Sequence, residues 1–205
     1  MHGETKVPGT QGYGEHAATL SERYDRVDVL ALYAEAWPYF PAPPAPVLDL
    51  GAGSGRDAAF FAQRGHPVTA VEPCAPLRQA AQAKHLDPGV DWLDSSLPAL
   101  EGLTAHYALV LVAAVWMHLD LKERQAAMPA VAARLAPAGL LHISLRHGPI
   151  PLGRRMFAVT TEETVALAER CGLTPIANWA QAPQQRGNQK AGVHFSTLLF
   201  RQAGP

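Results

Sequence analysis

Val47-Leu48-Asp49-Leu50-Gly51-Ala52-Gly53-Ser54-Gly55-Arg56 is the stretch that decides the fold. An apolar run ends in glycines at alternate positions, and helical spacing follows from Asp57 to Arg64. The stretch therefore reads as a strand, a tight turn and a helix start. Glycine permits positive φ in such a turn and lets a ligand approach backbone where a Cβ would collide. The free N–H groups of the new helix face the same crevice. Downstream, His66-Pro67-Val68-Thr69-Ala70-Val71 reads as a second strand closing on Glu72. A carboxylate about twenty residues past the glycines of a β-α-β unit stands at the second strand's tip. There it accepts hydrogen bonds from both hydroxyls of a ribose. The competing reading of Glu72 is a solvated turn residue before Pro73.

The glycine spacing separates one nucleoside cofactor from another. A nicotinamide or flavin site uses G-x-G-x-x-G, whose third glycine lets helix and strand pack closely. Here the pattern is G-x-G-x-G, and Arg56 takes the place of that third glycine. The G-x-x-x-x-G-K-[ST] of a phosphate-binding loop is also missing. With LDLGAGSGR at the first strand and Glu72 at the second, residues 45 to 200 resemble the class I S-adenosylmethionine-dependent methyltransferases. The resemblance implies S-adenosylmethionine as methyl donor and S-adenosylhomocysteine as product. It also implies cofactor contacts at Gly51, Ala52, Gly53 and Gly55, with Asp49 orienting the turn and the methionine amino group. Glu72 and Pro73 would border the ribose, Asp94 and Ser95 the adenine, and Ala113 the end of the fourth strand. In this family a helix before the first strand covers the crevice. Arg23 is then expected to face the methionine carboxylate, with Tyr24 beside it.

Composition bounds the rest. The chain has 205 residues, 48% hydrophobic and 17% charged, enough for one well-packed domain. A net charge of -1 gives no general electrostatic reason to bind nucleic acid, and no such partner is expected. Cys74 and Cys171 are far apart and in no metal-ligand spacing, so reduced thiols and no metal are expected. The N-terminus has no apolar signal core, and the run from Tyr107 to Leu119 is too short to span a bilayer. A cytoplasmic protein without membrane contact is the simplest expectation. Residues 1–14 read as a mobile arm and 15–205 as a single domain. Within that domain, 15–40 form a helical cover and 45–201 a Rossmann-like core, joined by the stiff Pro41-Ala42-Pro43-Pro44-Ala45-Pro46.

Tyr107 to Val112 is a continuous apolar strand of the kind buried on both faces of a parallel sheet. In the resembled enzymes the loop after this strand lies beside the reactive methyl. The (Asp/Asn/Ser)-Pro-Pro-(Tyr/Phe) run of exocyclic-amine methylation, the Pro-Cys nucleophile and the paired-glutamate loop are all missing here. Trp116, Met117 and His118 remain: an apolar wall with one imidazole. His118 is a candidate general base and substrate contact. Trp116 is a candidate substrate platform, with core packing as its competing role.

Leu121 to Leu135 reads as a helix ended by Pro137-Ala138-Gly139, and Gly139 to Leu145 as the fifth strand. Arg146 and His147 follow at its tip, where open α/β sheets bind ligands. Both are candidate substrate contacts, and His147 is a second candidate catalytic imidazole. Residues 148–159 would form a loop over the site. Strands at 173–179 and 193–201 frame a polar hairpin loop, the last strand being antiparallel.

The fold expected is a three-layer α/β, Rossmann-like sheet of seven strands, mostly parallel with an antiparallel last strand. The expected function is methyl transfer to a small-molecule acceptor. An RNA methyltransferase with a partner subunit and a non-catalytic cofactor-binding relative stay open at this point. The first requires a basic face around Arg154, Arg155, Arg186 and Lys190.

Overall fold

The computed structural model describes residues 7–86 and 89–204. Strand β1, Val47–Leu50, is buried at every position, because it lies at the centre of the sheet. It pairs in parallel with β2, Val68–Val71, on one side and β4, Tyr107–Ala113, on the other. Strand β3, Val90–Leu93, extends the β2 edge, and β5, Leu135–His147, extends the β4 side. Beyond β5 comes β7, His194–Gln202, antiparallel to both its neighbours, and then β6, Leu173–Gln181. Among the described residues the order is β3-β2-β1-β4-β5-β7-β6. The chain reverses its winding between β1 and β4, which opens a crevice at the carboxyl ends of those strands.

The alternation of side chains across the strands builds one core on each face. Val47, Leu109 and Leu111 pack with Tyr33 and Phe61 on one side. Leu48, Leu50, Val110 and Val112 pack with Met128 and Val131 on the other. Each such burial is worth about 1.5–3 kcal/mol, so the central strands anchor the domain. Helix α3, Arg56–Ala62, covers the first face, and α5, Leu121–Ala132, with α6, Thr161–Arg170, covers the second. Helix α4, Ala75–Lys84, packs against α1, Ala17–Asp25, through Leu77 and Ala17. The expected three-layer architecture is therefore present. No described helix is long and apolar enough to cross a membrane.

Several boundaries move. The cover over residues 15–40 is α1, a single turn α2, Val29–Leu32, and a 3-10 turn at Trp37–Tyr39. Helix α2 is held by the Asp28 carboxylate, which accepts from the N–H groups of Leu30 and Ala31. Pro137-Ala138-Gly139 lies inside β5 instead of ending a helix. A Cβ on Gly139 would stand 2.8 Å from the Ala136 oxygen and 2.9 Å from that of Tyr107, so this bend needs glycine for space. The polar hairpin loop contains a short helix α7, Arg186–Lys190. The expected mobile arm divides: residues 1–6 lie outside the described residues, whereas residues 7–14 fold onto the crevice.

Candidate active site

The crevice is a cavity of about 500 Å³ at the carboxyl ends of β1 and β4. Its floor is the glycine turn. Gly51 and Gly53 have φ of 72° and 56°, a region that glycine adopts freely. A Cβ on Gly51 would come within 2.5 Å of Val115 Cγ2, so that glycine also serves packing. Above Gly53 the nearest atom to such a Cβ is in the Tyr24 ring, at 3.7 Å, and the backbone there lies open to the cavity. Across the crevice, Ala114 holds a φ of 55° while its N–H donates to Ser144 Oγ at 2.9 Å. A non-glycine residue in this region stores strain, a common feature of functional loops.

Carboxylates dominate this end. Glu72 accepts from the N–H groups of Gly53 and Cys74, both at 2.8 Å, so its position follows the glycine turn directly. Burial pushes its carboxyl up against the pull of those donors. Asp57 is bound by Arg56 at 2.7 and 2.8 Å and by the Tyr33 hydroxyl at 2.9 Å. Arg56 also donates to the Tyr24 carbonyl, which locks α1 over the turn. Asp49 is 2% exposed, and its Oδ2 has no partner. Burial first, and the charge of Asp57 next, hold its carboxyl well above the usual range. An unpartnered buried carboxyl beside two others is a place prepared for a cation or an N–H donor.

The opposite wall is formed by the N-terminal segment, the β4 loop and residues 151–156. His118 is 7% exposed and engaged at both nitrogens. Its Nδ1 lies 2.8 Å from the Arg155 carbonyl, which can only accept, so Nδ1 carries the proton. Nε2 is then the acceptor of the Tyr13 hydroxyl at 2.9 Å. Burial lowers the imidazole's affinity for a second proton, and the nearby arginines Arg154, Arg146 and Arg155 add to this. The result is a neutral imidazole with a fixed tautomer. Arg155 itself donates to the His118 carbonyl and pairs with Glu123 and Asp120, so it braces the loop.

The cavity brings together Arg23, Tyr24, Asp49, Gly51, Ala52, Gly53, Glu72, Pro73, Ala113, His118 and Arg146. Five expected contacts lie outside it. Gly55 instead makes room for a neighbour: a Cβ there would strike Trp92 at 2.8 Å and His85 at 2.9 Å. Asp94 has a side chain 67% exposed and pairs with Arg78 at 2.7 Å, bracing the arginine that also donates to the Glu72 carbonyl. Ser95 is buried, and Ser96 and Leu97 line the cavity in its place. Trp116 is fully buried in the core, so it is no substrate platform. His147 turns to the β7 side, where it meets Ser196 Oγ at 3.0 Å and stacks on His194 at 4.9 Å. Sequence reasoning missed Tyr13 and Val115 as part of this wall, whereas Arg154 lies in the loop expected over the site. Tyr13, an aromatic residue within a polar arm, was the one available sign of an ordered segment.

Comparison with known proteins agrees with this geometry. The family described as Methyltransferase domain matches residues 47–139, the span from β1 into β5. An uncharacterized methyltransferase of Mycobacterium tuberculosis is 31% identical over 108 residues, 50% of this chain and 54% of that protein. The chain thus spans about half the length of the curated relatives it matches. A TehB-like methyltransferase structure from Corynebacterium glutamicum superposes with a TM-score of 0.70 at 20% identity, covering 92% of this chain and 98% of that one. The 1,6-didemethyltoxoflavin-N1-methyltransferase of Burkholderia thailandensis, solved with its substrate and S-adenosylhomocysteine, gives 0.65 at 25% identity, covering 92% and 90%. S-adenosylmethionine, the cofactor of this family, fits the residues present: Asp49 Oδ2 is free for an ammonium group, and Glu72 keeps lone pairs for ribose hydroxyls. By its glycine turn, its second-strand acid and its sheet order, the chain is similar to the class I S-adenosylmethionine-dependent methyltransferases, whose methyltransferase-domain model it matches over residues 47–139.

Proposed function

We propose that the protein transfers the methyl group of S-adenosylmethionine to a small-molecule acceptor. One observation carries this reading: a single cavity joins the Gly51–Gly53 turn and Glu72 to His118 and Arg146 beneath a roof of residues 7–13 and 151–156. Its volume suits small ligands, and residues of the roof line it beside the imidazole. The Burkholderia relative, which methylates a small heterocycle, supports the same class of acceptor. Of the four basic residues an RNA surface would use, Arg155 is paired with Asp120 and Glu123 and Arg154 lines the cavity, which supports the small-molecule reading over RNA.

Of the residues lining the cavity, Asp49 would hold the cofactor's amino group, Glu72 the ribose and Arg23 the carboxylate. When bound, the cofactor supplies an activated methyl whose bonding electrons leave with sulfur as the new bond to the acceptor forms. The chain's own task is alignment and proton removal. Arg56 and the glycine turn fix the floor, and Tyr24 closes over it. His118 accepts a proton at Nε2, taken directly from the acceptor or through the Tyr13 hydroxyl, while Nδ1–H stays on the Arg155 carbonyl.

Calorimetric titration with S-adenosylmethionine, S-adenosylhomocysteine and NADH tests the cofactor part. The first two should bind in the micromolar range and NADH not at all. Glu72→Ala should weaken that binding by about tenfold or more, the loss of charge-assisted hydrogen bonds. Labelled methyl transfer to a panel of small hydroxyl, thiol and amine acceptors then tests turnover. Tight cofactor binding with no transfer to any acceptor class would favour the non-catalytic alternative.

A further inference from the structure

We propose that the acceptor is an anion, with a carboxylate or phosphate held between Arg146 and Arg154 beside His118. The inference rests on the methyltransferase reading for the word acceptor, but the anion site stands on its own observations. Arg23, Arg146 and Arg154 all line the cavity, and among the described residues none of them forms an ion pair. Arg56, Arg78, Arg124 and Arg155 are, by contrast, each matched with a carboxylate. Arg154 Nη1 is buried without a partner, and the guanidinium lies 3.7 Å above the Tyr13 ring. Stacking holds the plane and leaves its N–H edge free for a ligand. Arg146, at the tip of β5, is near enough to Arg23 for the two charges to oppose one another.

Arg146 and Arg154 are half-buried, and a buried guanidinium nitrogen without a partner, as Arg154 Nη1 is, costs stability, so this part of the cavity calls for negative charge. The cofactor carries a single carboxylate, which accounts for Arg23. Two arginines remain. The acidic residues of the cavity do not meet this need, because Asp49, Asp57 and Glu72 cluster at the glycine-turn end, where Asp57 is already paired. Glu72 and Arg154 both act on Tyr13 and Cys74, yet among the described residues no ion pair joins them. Planar bidentate donors such as arginine are suited to carboxylate and phosphate. Burial lowers the proton affinity of the His118 imidazole, and the same arginines add to it. An anion bound between them would bring its nucleophile to a base ready to take a proton.

The full chain, saturated with S-adenosylhomocysteine, should be titrated with benzoate, phenyl phosphate and neutral benzamide. At least one of the two anions should bind about tenfold or more tightly than benzamide, and which one binds identifies the charged group. Arg146→Gln and Arg154→Gln should each remove most of that preference while S-adenosylhomocysteine affinity stays within about twofold. Retained cofactor affinity in the variants also rules out misfolding as the cause. Absence of anion preference, whether no probe binds or all bind alike, overturns the proposal, as does full preference in both variants. Anion preference without S-adenosylhomocysteine binding would instead overturn the cofactor assignment and leave the anion site in place.

Discussion

At the residue scale, the proposed role of Asp49 has a cost in stability that can be measured. Its buried carboxyl has an unpartnered oxygen and a proton affinity raised by burial and by Asp57. Below about pH 3.9 the group is protonated in both folded and unfolded chains and has no effect on stability. As pH rises, the unfolded chain ionises first, so stability falls until the folded carboxyl also loses its proton. Asp49→Asn removes this penalty. At pH 7.5 the variant should be more stable by about 1 kcal/mol, a rise of about 2–4 °C in Tm, and the gap should close towards pH 4. Its affinity for S-adenosylmethionine should fall by at least about tenfold, since the amide no longer offers a charge to the ammonium. Thermal denaturation across pH, paired with calorimetry, checks both halves. Higher stability with unchanged affinity would mean that Asp49 is structural.

At the scale of elements, the β4 loop and the N-terminal segment act as one unit through the Tyr13–His118 hydrogen bond. Lowered proton affinity keeps His118 a free base at neutral pH, so the acid limb of kcat/KM should lie below pH 6.5. His118→Gln should lower kcat by about 10²- to 10⁴-fold and abolish that limb. Tyr13→Phe should leave the limb in place but move it, because the imidazole loses a donor. A pH-rate profile of the three proteins decides the matter; an acid limb that survives in His118→Gln assigns the proton to another group. The glycine turn, Glu72 and the buried strands were legible in the sequence because their signals are local: alternation, glycine at positive φ, a fixed spacing. The roof was not. Residues 7–14 are ordered by contacts to segments about a hundred or more positions away, such as His118 and Arg154, and no local pattern encodes those. The same blindness applied to Asp94 and His147, whose positions after strands matched the crevice while their side chains found partners elsewhere. His142 is the converse: a histidine fully enclosed by Tyr33, Phe40 and Trp179, where a strand pattern would place an aliphatic residue.

For the whole molecule, the reversal of winding between β1 and β4 leaves a crevice that the sheet alone cannot close. The chain closes it with segments from both ends: Val7 to Tyr24 before the first strand, and Pro151 to Met156 with Ala182 to Asn188 after the fifth. A ligand in the cavity therefore touches pieces of chain that the central strands do not hold directly. Binding to the native state alone stabilises by RT ln(1 + [L]/Kd), about 2.7 kcal/mol at a hundredfold excess over Kd. For a domain of this size that is a rise of about 5–10 °C in Tm with S-adenosylhomocysteine. The same ligand should slow backbone hydrogen exchange in residues 7–24 and 151–156 as well as in the glycine turn, because all three border one cavity. Asp49→Asn, more stable alone, should show a smaller shift at the same concentration. Protection confined to the glycine turn and Glu72 would mean that the roof takes no part in holding the cofactor. Tyr13 and Arg154 would then belong to the acceptor's half of the site, and roof protection should return only when an anionic acceptor is added.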